Sequence, residues 1–208
     1  MICDTPSTTA LELSLSEISA LTTRAIRGAG RDWGAAEEGA NAACWLARAG
    51  LDWASLLLAV LDGPGKGTDC PLRIGMKIAD HALLPDSLSR PETSCHKLTA
   101  PGFLLPFAAQ VADRTATAVV LDWDNTRAAL VPGCPPAVSG TTATRPRADV
   151  TITSAPAELF ERADWPDHHH GLVSAAQYAR LTLLVAAFTV PSSTLSQAGA
   201  GANEEDND

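Results

Sequence analysis

Positive charge is in short supply in this chain. Fifteen Lys and Arg stand against twenty-four Asp and Glu, a formal charge of -9 over 208 residues. That is the wrong sign for a protein that holds nucleic acid by neutralising phosphates. Long apolar runs are missing too. Leu56 to Leu61, and Leu181 to Val190 with its interruptions at Thr182 and Thr189, fall far below the roughly 20 residues of a membrane-spanning helix. Met1 to Thr9 contain no Lys or Arg, so the basic start of a signal peptide is not seen there. A cytoplasmic protein without nucleic-acid or membrane partners is expected.

Closely spaced cysteine pairs are also lacking. Cys3, Cys44, Cys70, Cys95 and Cys134 are odd in number and widely spaced, which gives neither a zinc clamp nor a disulfide framework. Cys44, in an Ala-rich run, reads as a small core hydrophobe. Cys70, before Pro71, would be a nucleophile only if a neighbouring His or a helix N-terminus lowered its pKa. What the chain does have is 46% hydrophobic and 19% charged residues, the composition of a globular protein.

Helix signals come first along the sequence. Ser14 with Glu17 has capping-box spacing, and Leu15, Ile18, Leu21, Ala25 and Ile26 follow at three- and four-residue steps, so a helix is expected over 15–27. Asp32 suits the N-cap of a second helix running to about Arg48, whose many alanines predict close helix approach. Asp52 suits the cap of a third over 53–61. Residues 63–101 are rich in Gly and Pro and hold at most a short helix over 74–84. Another helix fits 102–113, with Pro106 in its first turn.

Strand signals follow. Residues 116–123 and 127–131, joined by Asp124-Asn125, suggest a hairpin, and 149–153 a further strand. Residues 132–147 read as a mobile loop, 167–171 as a polar turn, and 174–185 as a last helix capped by Ser174. The ends, 1–13 and 203–208, read as frayed, and Glu204, Glu205, Asp206 and Asp208 place much of the acidity at the terminus.

Candidate chemistry gathers in four places. Arg27-Gly28-Ala29-Gly30, opening toward the Asp32 helix, resembles a glycine-rich anion loop. A helix precedes it rather than a strand, so a helix-to-helix corner is the simpler reading. Trp33, Glu37 and Glu38 lie in the next turns, where carboxylates suit the helix dipole and would become acids or bases only if buried beside a charge. Asp80 and His81 form a second polar neighbourhood, structural unless a nucleophile and an orienting group join it. His168, His169 and His170 compete for metals, but adjacent residues cannot all face one ion and no second ligand segment is visible. No metal site is assigned on that basis, and no cofactor is indicated.

Several of these pieces occur together in one known family. Ser14-Leu-Ser-Glu-Ile18, Arg27-Gly-Ala-Gly30, Trp33-Gly34, Ala36-Glu37-Glu38, Trp45-Leu46, Cys70-Pro71-Leu72, Asp80-His81-Ala82, Leu104-Leu-Pro-Phe107, Val190-Pro-Ser192 and the Gly-Ala-Gly end closing on Asp-Asn-Asp resemble an uncharacterised bacterial family, domain of unknown function thirty-seven twenty-six. The resemblance spans nearly the whole chain and is strongest at 14–50 and 189–208. It implies no activity and no catalytic residues. It does imply that Gly199, Gly201, Asp206 and Asp208 form an ordered strap over a pocket as readily as a loose arm.

The expected architecture is a single α+β domain over 1–208, with an N-terminal three-helix unit packed against a small antiparallel sheet and a C-terminal helix. Two function classes stay open. One is a small-molecule-binding or accessory protein of a metabolic pathway, with a protein partner or a second copy of itself on an Ala-rich, Trp-bearing face. The other is a small-molecule enzyme whose pocket joins the 27–38 corner to the acidic C-terminus. Its residues would be Arg27, Gly28, Gly30, Trp33, Glu37, Glu38, Asp80, His81, Gly199, Gly201, Asp206 and Asp208.

Overall fold

The computed structural model describes residues 10–63, 69–84, 92–142, 147–166 and 168–189. Cys3 and the Gly-rich acidic end, including Gly199, Gly201, Asp206 and Asp208, lie outside the described residues. The elements run β1 (Ala10–Ser14), α1 (Leu15–Gly28), α2 (Trp33–Arg48), α3 (Trp53–Asp62), α4 (Pro71–His81) and β2 (Glu92–Leu98). A short 3-10 turn, Pro101–Leu104, leads into α5 (Leu105–Thr115) and the hairpin of β3 (Ala118–Trp123) and β4 (Thr126–Leu130). After these come β5 (Ala137–Ser139), β6 (Ala148–Ala155), β7 (His170–Ser174) and α6 (Ala175–Phe188). The fold is α+β.

Each helix of the N-terminal unit starts at its expected cap. The Ser14 hydroxyl accepts from the Glu17 amide at 3.3 Å while the Glu17 carboxylate accepts from the Ser14 amide at 2.8 Å, a complete capping box. Asp32 and Asp52 accept from Ala35 and Ser55 amides at 2.7 and 3.0 Å. Gly30, at φ 79°, ends α1: its amide donates to the Arg27 carbonyl and the Arg31 amide to that of Ile26. These two bonds form a Schellman stop.

The alanines of α2 do what small residues allow. Ala36, Ala40, Ala43 and Ala47 are buried, and α1 packs closely on both α2 and α6. At the α1–α6 crossing a Cβ on Gly28 would stand 1.7 Å from the Leu184 carbonyl oxygen, so only glycine permits that approach. Trp33, at the first position of α2, is 56% exposed, with its ring edge-on to Phe188 at 5.8 Å.

Two large apolar cores result among the described residues, beside a small cluster of Ala118, Val131 and Cys134. One gathers α1, α2 and α3 with Phe103, Phe107, Val173 and Leu181. The other lies between α5 and a five-stranded antiparallel sheet of order β2-β6-β3-β4-β5, through Leu105, Ala112, Leu121, Leu130 and Val150. Trp45 and Leu51 pack against both cores. Among the described residues no helix is long and apolar enough to cross a membrane.

Several expectations are corrected. β1 occupies residues read as frayed, and β7 forms where a polar turn was expected: they pair antiparallel, Leu11 opposite Val173 and Leu13 opposite Gly171. Local composition hides this ribbon because its stability comes from Gly171 and Val173 pressing on the helices; a Cβ at Gly171 would stand 2.8 Å from both Ala47 and Ile18. β5 interrupts the expected loop at 132–147. β2 is a polar edge strand paired on one side only, with an irregular register between Cys95 and Leu98 and Lys97 at φ 52°, features that erase period-two alternation. α4 begins three residues before the expected 74, since Pro71 fits a first helical position rather than breaking the helix.

Two stability outcomes follow from this packing. Gly28→Ala should lower unfolding free energy in urea by about 1–3 kcal/mol through forced separation of α1 and α6. Gly34→Ala, whose Cβ would meet nothing nearer than an Asp32 oxygen at 3.7 Å, should be neutral or stabilising by up to about 1 kcal/mol. The hydroxyl and then the amide of Ser14 hold the Glu17 carboxyl below its ordinary 4.5. A depressed folded-state pKa stabilises the fold above the unfolded value and ceases to do so as pH falls through the folded one. Urea midpoints measured from pH 6 down to pH 3 should therefore fall less steeply for Ser14→Ala than for the parent.

Candidate functional site

The corner between α1 and α2 faces α4 across a cleft of about 450 Å³, within the usual size range of small-molecule sites. The corner contributes Gly30, Arg31, Asp32 and Ala35. The other wall is α4 and its cap: Cys70, Leu72, Arg73, Met76, Lys77, Asp80 and His81. Arg73, Lys77 and His81 recur every four residues, so they share one helix face with about 6 Å of rise between neighbours. Ala35, Cys70, Leu72 and Met76 supply an apolar lining beneath these polar groups.

Arg31 reaches the cleft from the opposite wall. One guanidinium nitrogen donates to the carbonyls of Gly63 and Val60 at 3.0 and 3.3 Å, and Nε, buried, has no hydrogen-bond partner. Neutral carbonyls hold this cation in place without cancelling its charge. Among the described residues neither Arg31, Arg73 nor Lys77 has an ion-pair partner. With Asp32 and Asp80 as the carboxylates among the described lining residues, those residues carry one net positive charge in a chain of net charge -9.

The structure thus joins Gly30 with Asp80 and His81, from separate segments of the sequence-derived site. It places Arg27, Gly28, Trp33, Glu37 and Glu38 away from the cleft lining, and Gly199, Gly201, Asp206 and Asp208 lie outside the described residues. Arg27 sits 4.6 Å from the centroid of the Trp33 ring and 5.7 Å from that of Phe188, and donates to the Arg31 carbonyl. Gly28 belongs to the helix crossing. Glu37 is exposed and Glu38 half-buried along α2, and neither lines the cleft. The amides after Arg27 cap α1, so they are already used and the corner does not cradle an anion through its backbone. Arg31, Arg73 and Lys77 escaped sequence reading, although the four-residue recurrence of Arg73, Lys77 and His81 was a signal that could have found one wall.

Every residue lining this cleft lies between 13 and 85, and that is the span a family comparison picks out. Residues 13–85 match the family described as protein of unknown function, DUF3726. The family resemblance read from the sequence is thereby shown for α1 to α4, while the similarities quoted beyond residue 85 fall outside the matched span. No curated protein and no solved structure matches the chain. The DUF3726 segment therefore carries both walls of the cleft, and α5, the five-stranded sheet and α6 lie beyond it.

Nucleophilic chemistry finds little support in this arrangement. Cys70 caps the start of α4 and His81 ends it, roughly 16 Å apart along the axis at 1.5 Å per residue, too far for a thiol and its base. Burial pushes the thiols of Cys44 and Cys95 up, away from thiolate character, and Cys44 donates to the Leu15 carbonyl at 3.3 Å. Among the described residues no three His, Cys, Asp or Glu side chains converge as metal ligands. His170 instead stands 3.9 Å from Glu12.

Arg27 consequently belongs to the α1–α2–α6 junction. Arg27→Ala should cost about 1–2 kcal/mol in urea unfolding through the lost ring contacts and hydrogen bond. Ligand affinity of the cleft, measured well below the unfolding midpoint, should stay within about twofold.

Proposed function

We propose that the DUF3726 segment binds a small organic anion in the cleft between the α1–α2 corner and α4, and that the protein acts as a binding or accessory component rather than through nucleophilic catalysis. One observation carries this reading: Arg31, Arg73 and Lys77 line a single concave surface and, among the described residues, none of them is paired with a carboxylate, in a strongly acidic chain. A cation held by backbone carbonyls and two more on one helix face form a preorganised receptor for a carboxylate or phosphate. The apolar lining from Ala35, Leu72 and Met76 accommodates a short carbon skeleton. Cys44, Cys70, Cys95 and Cys134 all carry free thiols, which suits a reducing, cytoplasmic setting.

A panel of acetate, succinate, citrate and inorganic phosphate, titrated by calorimetry and by amide shifts of 71–81, checks this proposal. At least one member should bind saturably, and affinity should weaken as salt screens the cations. Arg73→Ala combined with Lys77→Ala should reduce affinity tenfold or more, since a hydrogen bond to a charged group contributes about 1.5–3 kcal/mol. Both residues are exposed, so unfolding free energy should change by no more than about 0.5 kcal/mol per substitution. Absence of saturable shifts across the panel, or equal affinity in the double variant, would remove the reading.

A further inference from the structure

The β1–α1 and β7–α6 units follow one plan. Each is a five-residue strand running straight into a 14-residue helix through a serine N-cap with a complete capping box, Ser14 with Glu17 and Ser174 with Gln177. The strands pair antiparallel from Ala10 opposite Ser174 to Ser14 opposite His170, centred on Glu12 opposite Leu172, and α1 lies directly on α6. An approximate local two-fold axis therefore relates each residue of the first unit to the one 160 positions later, as Ser14 to Ser174. Thr22 corresponds to Thr182, and both hydroxyls donate to the carbonyl four residues earlier.

What covers α1 is missing from α6. Leu15, Ser19, Thr22 and Ile26 follow at steps of four, three and four residues, which keeps them on one helix face. α2 packs on this seam: the Cys44 thiol donates to the Leu15 carbonyl at 3.3 Å, and a Cβ on Gly39 would stand 2.6 Å from Ile26 Cδ1. Thr22 and Ile26 are fully buried as a result. The equivalent seam on α6 is Ala175, Ala179, Thr182 and Ala186, and all four are exposed. Leu183, 65% exposed, and Tyr178, 38% exposed, flank it. α1 turns Ser16, Glu17 and Arg24 to solvent, but α6 has no Asp or Glu, and its one charged residue, Arg180, pairs with Asp62 at 3.0 Å. A helix apolar on nearly every side is the kind that a neighbour covers.

We propose that α6 pairs with α6 of a second copy of this chain, about a two-fold axis and along the Ala175–Ala179–Thr182–Ala186 seam. Small side chains let two helices approach closely, as Gly39 of α2 does on α1. Run antiparallel, the seam sets Ala175 against Ala186 of the second copy and Ala179 against its Thr182, so the same patch serves both chains. Charge favours this face as well. Two chains of net charge -9 repel one another, and along α6 they meet without a carboxylate from either helix. The helix is about 21 Å long, and half of a cylinder about 11 Å across offers roughly 350 Å² per copy. A stable dimer uses about 800 Å² per partner, so this pairing is weak and depends on concentration.

Sedimentation equilibrium of the full chain from about 10 μM to about 1 mM, a range suited to a small interface, should show a monomer–dimer equilibrium. Ala179→Glu and Ala179→Lys should each raise the dissociation constant tenfold or more, because each sets like charges across the axis. An equimolar mixture of the two variants should return to within about threefold of the parent. Residue 179 is exposed, so the urea midpoint should not move, which separates lost pairing from lost fold. A monomer at the highest concentration, the result if the chain's own residues beyond 189 or a different protein took this face, would overturn the proposal. So would a dimer indifferent to both variants, or a mixture no tighter than either variant alone.

Discussion

The contact between the Gly28 backbone and the Leu184 carbonyl is the constraint from which the rest of the structure follows. Because no side chain separates them, α6 lies directly on α1 and brings Phe188 against Trp33 at the start of α2. The same α6 begins at Ser174, the last residue of β7, so docking α6 also holds the ribbon that β7 forms with β1. Arg27, between the Trp33 and Phe188 rings, ties the three helices at one point. A larger residue at 28 would act on the ribbon and the α1–α2 corner at once.

Charge is distributed with a pattern that net charge conceals. The cleft beside α4 collects Arg31, Arg73 and Lys77, whereas the described residues lining a hollow between the β1–β7 ribbon and the α2–α3 corner include Glu12 and Asp52 but no Lys or Arg. The exposed ion pairs elsewhere, such as Arg180 with Asp62 at 3.0 Å and Arg147 with Asp69 at 3.2 Å, contribute little to stability. What matters for binding is which charges are left without an opposite partner on a concave surface. Arg31 shows the device most plainly: backbone carbonyls orient the guanidinium while its charge stays uncompensated.

Much of the helical frame was legible because its signals are local. Ser14-Glu17, Asp32, Asp52 and Ser174 each declare a helix start through a hydrogen bond made within three residues, and Gly30 declares an end through its positive φ. The hairpin of 118–130 was legible for the same reason. The ribbon was not, since Leu11 and Val173 become neighbours only after more than 150 residues of intervening chain have folded. Nor was β2, whose polar sequence is ordered by pairing with β6 rather than by its own alternation. Of the candidate site, Gly30, Asp80 and His81 were found from local motifs, but Arg31 was passed over because its role depends on carbonyls at 60 and 63.

By itself the sequence determined the class of molecule: an acidic α+β chain with capped N-terminal helices, alanine-led packing and the DUF3726 signature over α1 to α4. Those features rest on short-range hydrogen bonds, periodicity and composition, which a linear chain expresses directly. Only the tertiary structure decided that Arg27 is a packing residue while Arg31 faces a cleft, and that His170 stands on the ribbon beside Glu12. Those assignments turn on which residues distant in sequence lie within a few ångströms of one another. That proximity is set by the closeness of the helix crossing at Gly28 and by the ribbon it holds in place.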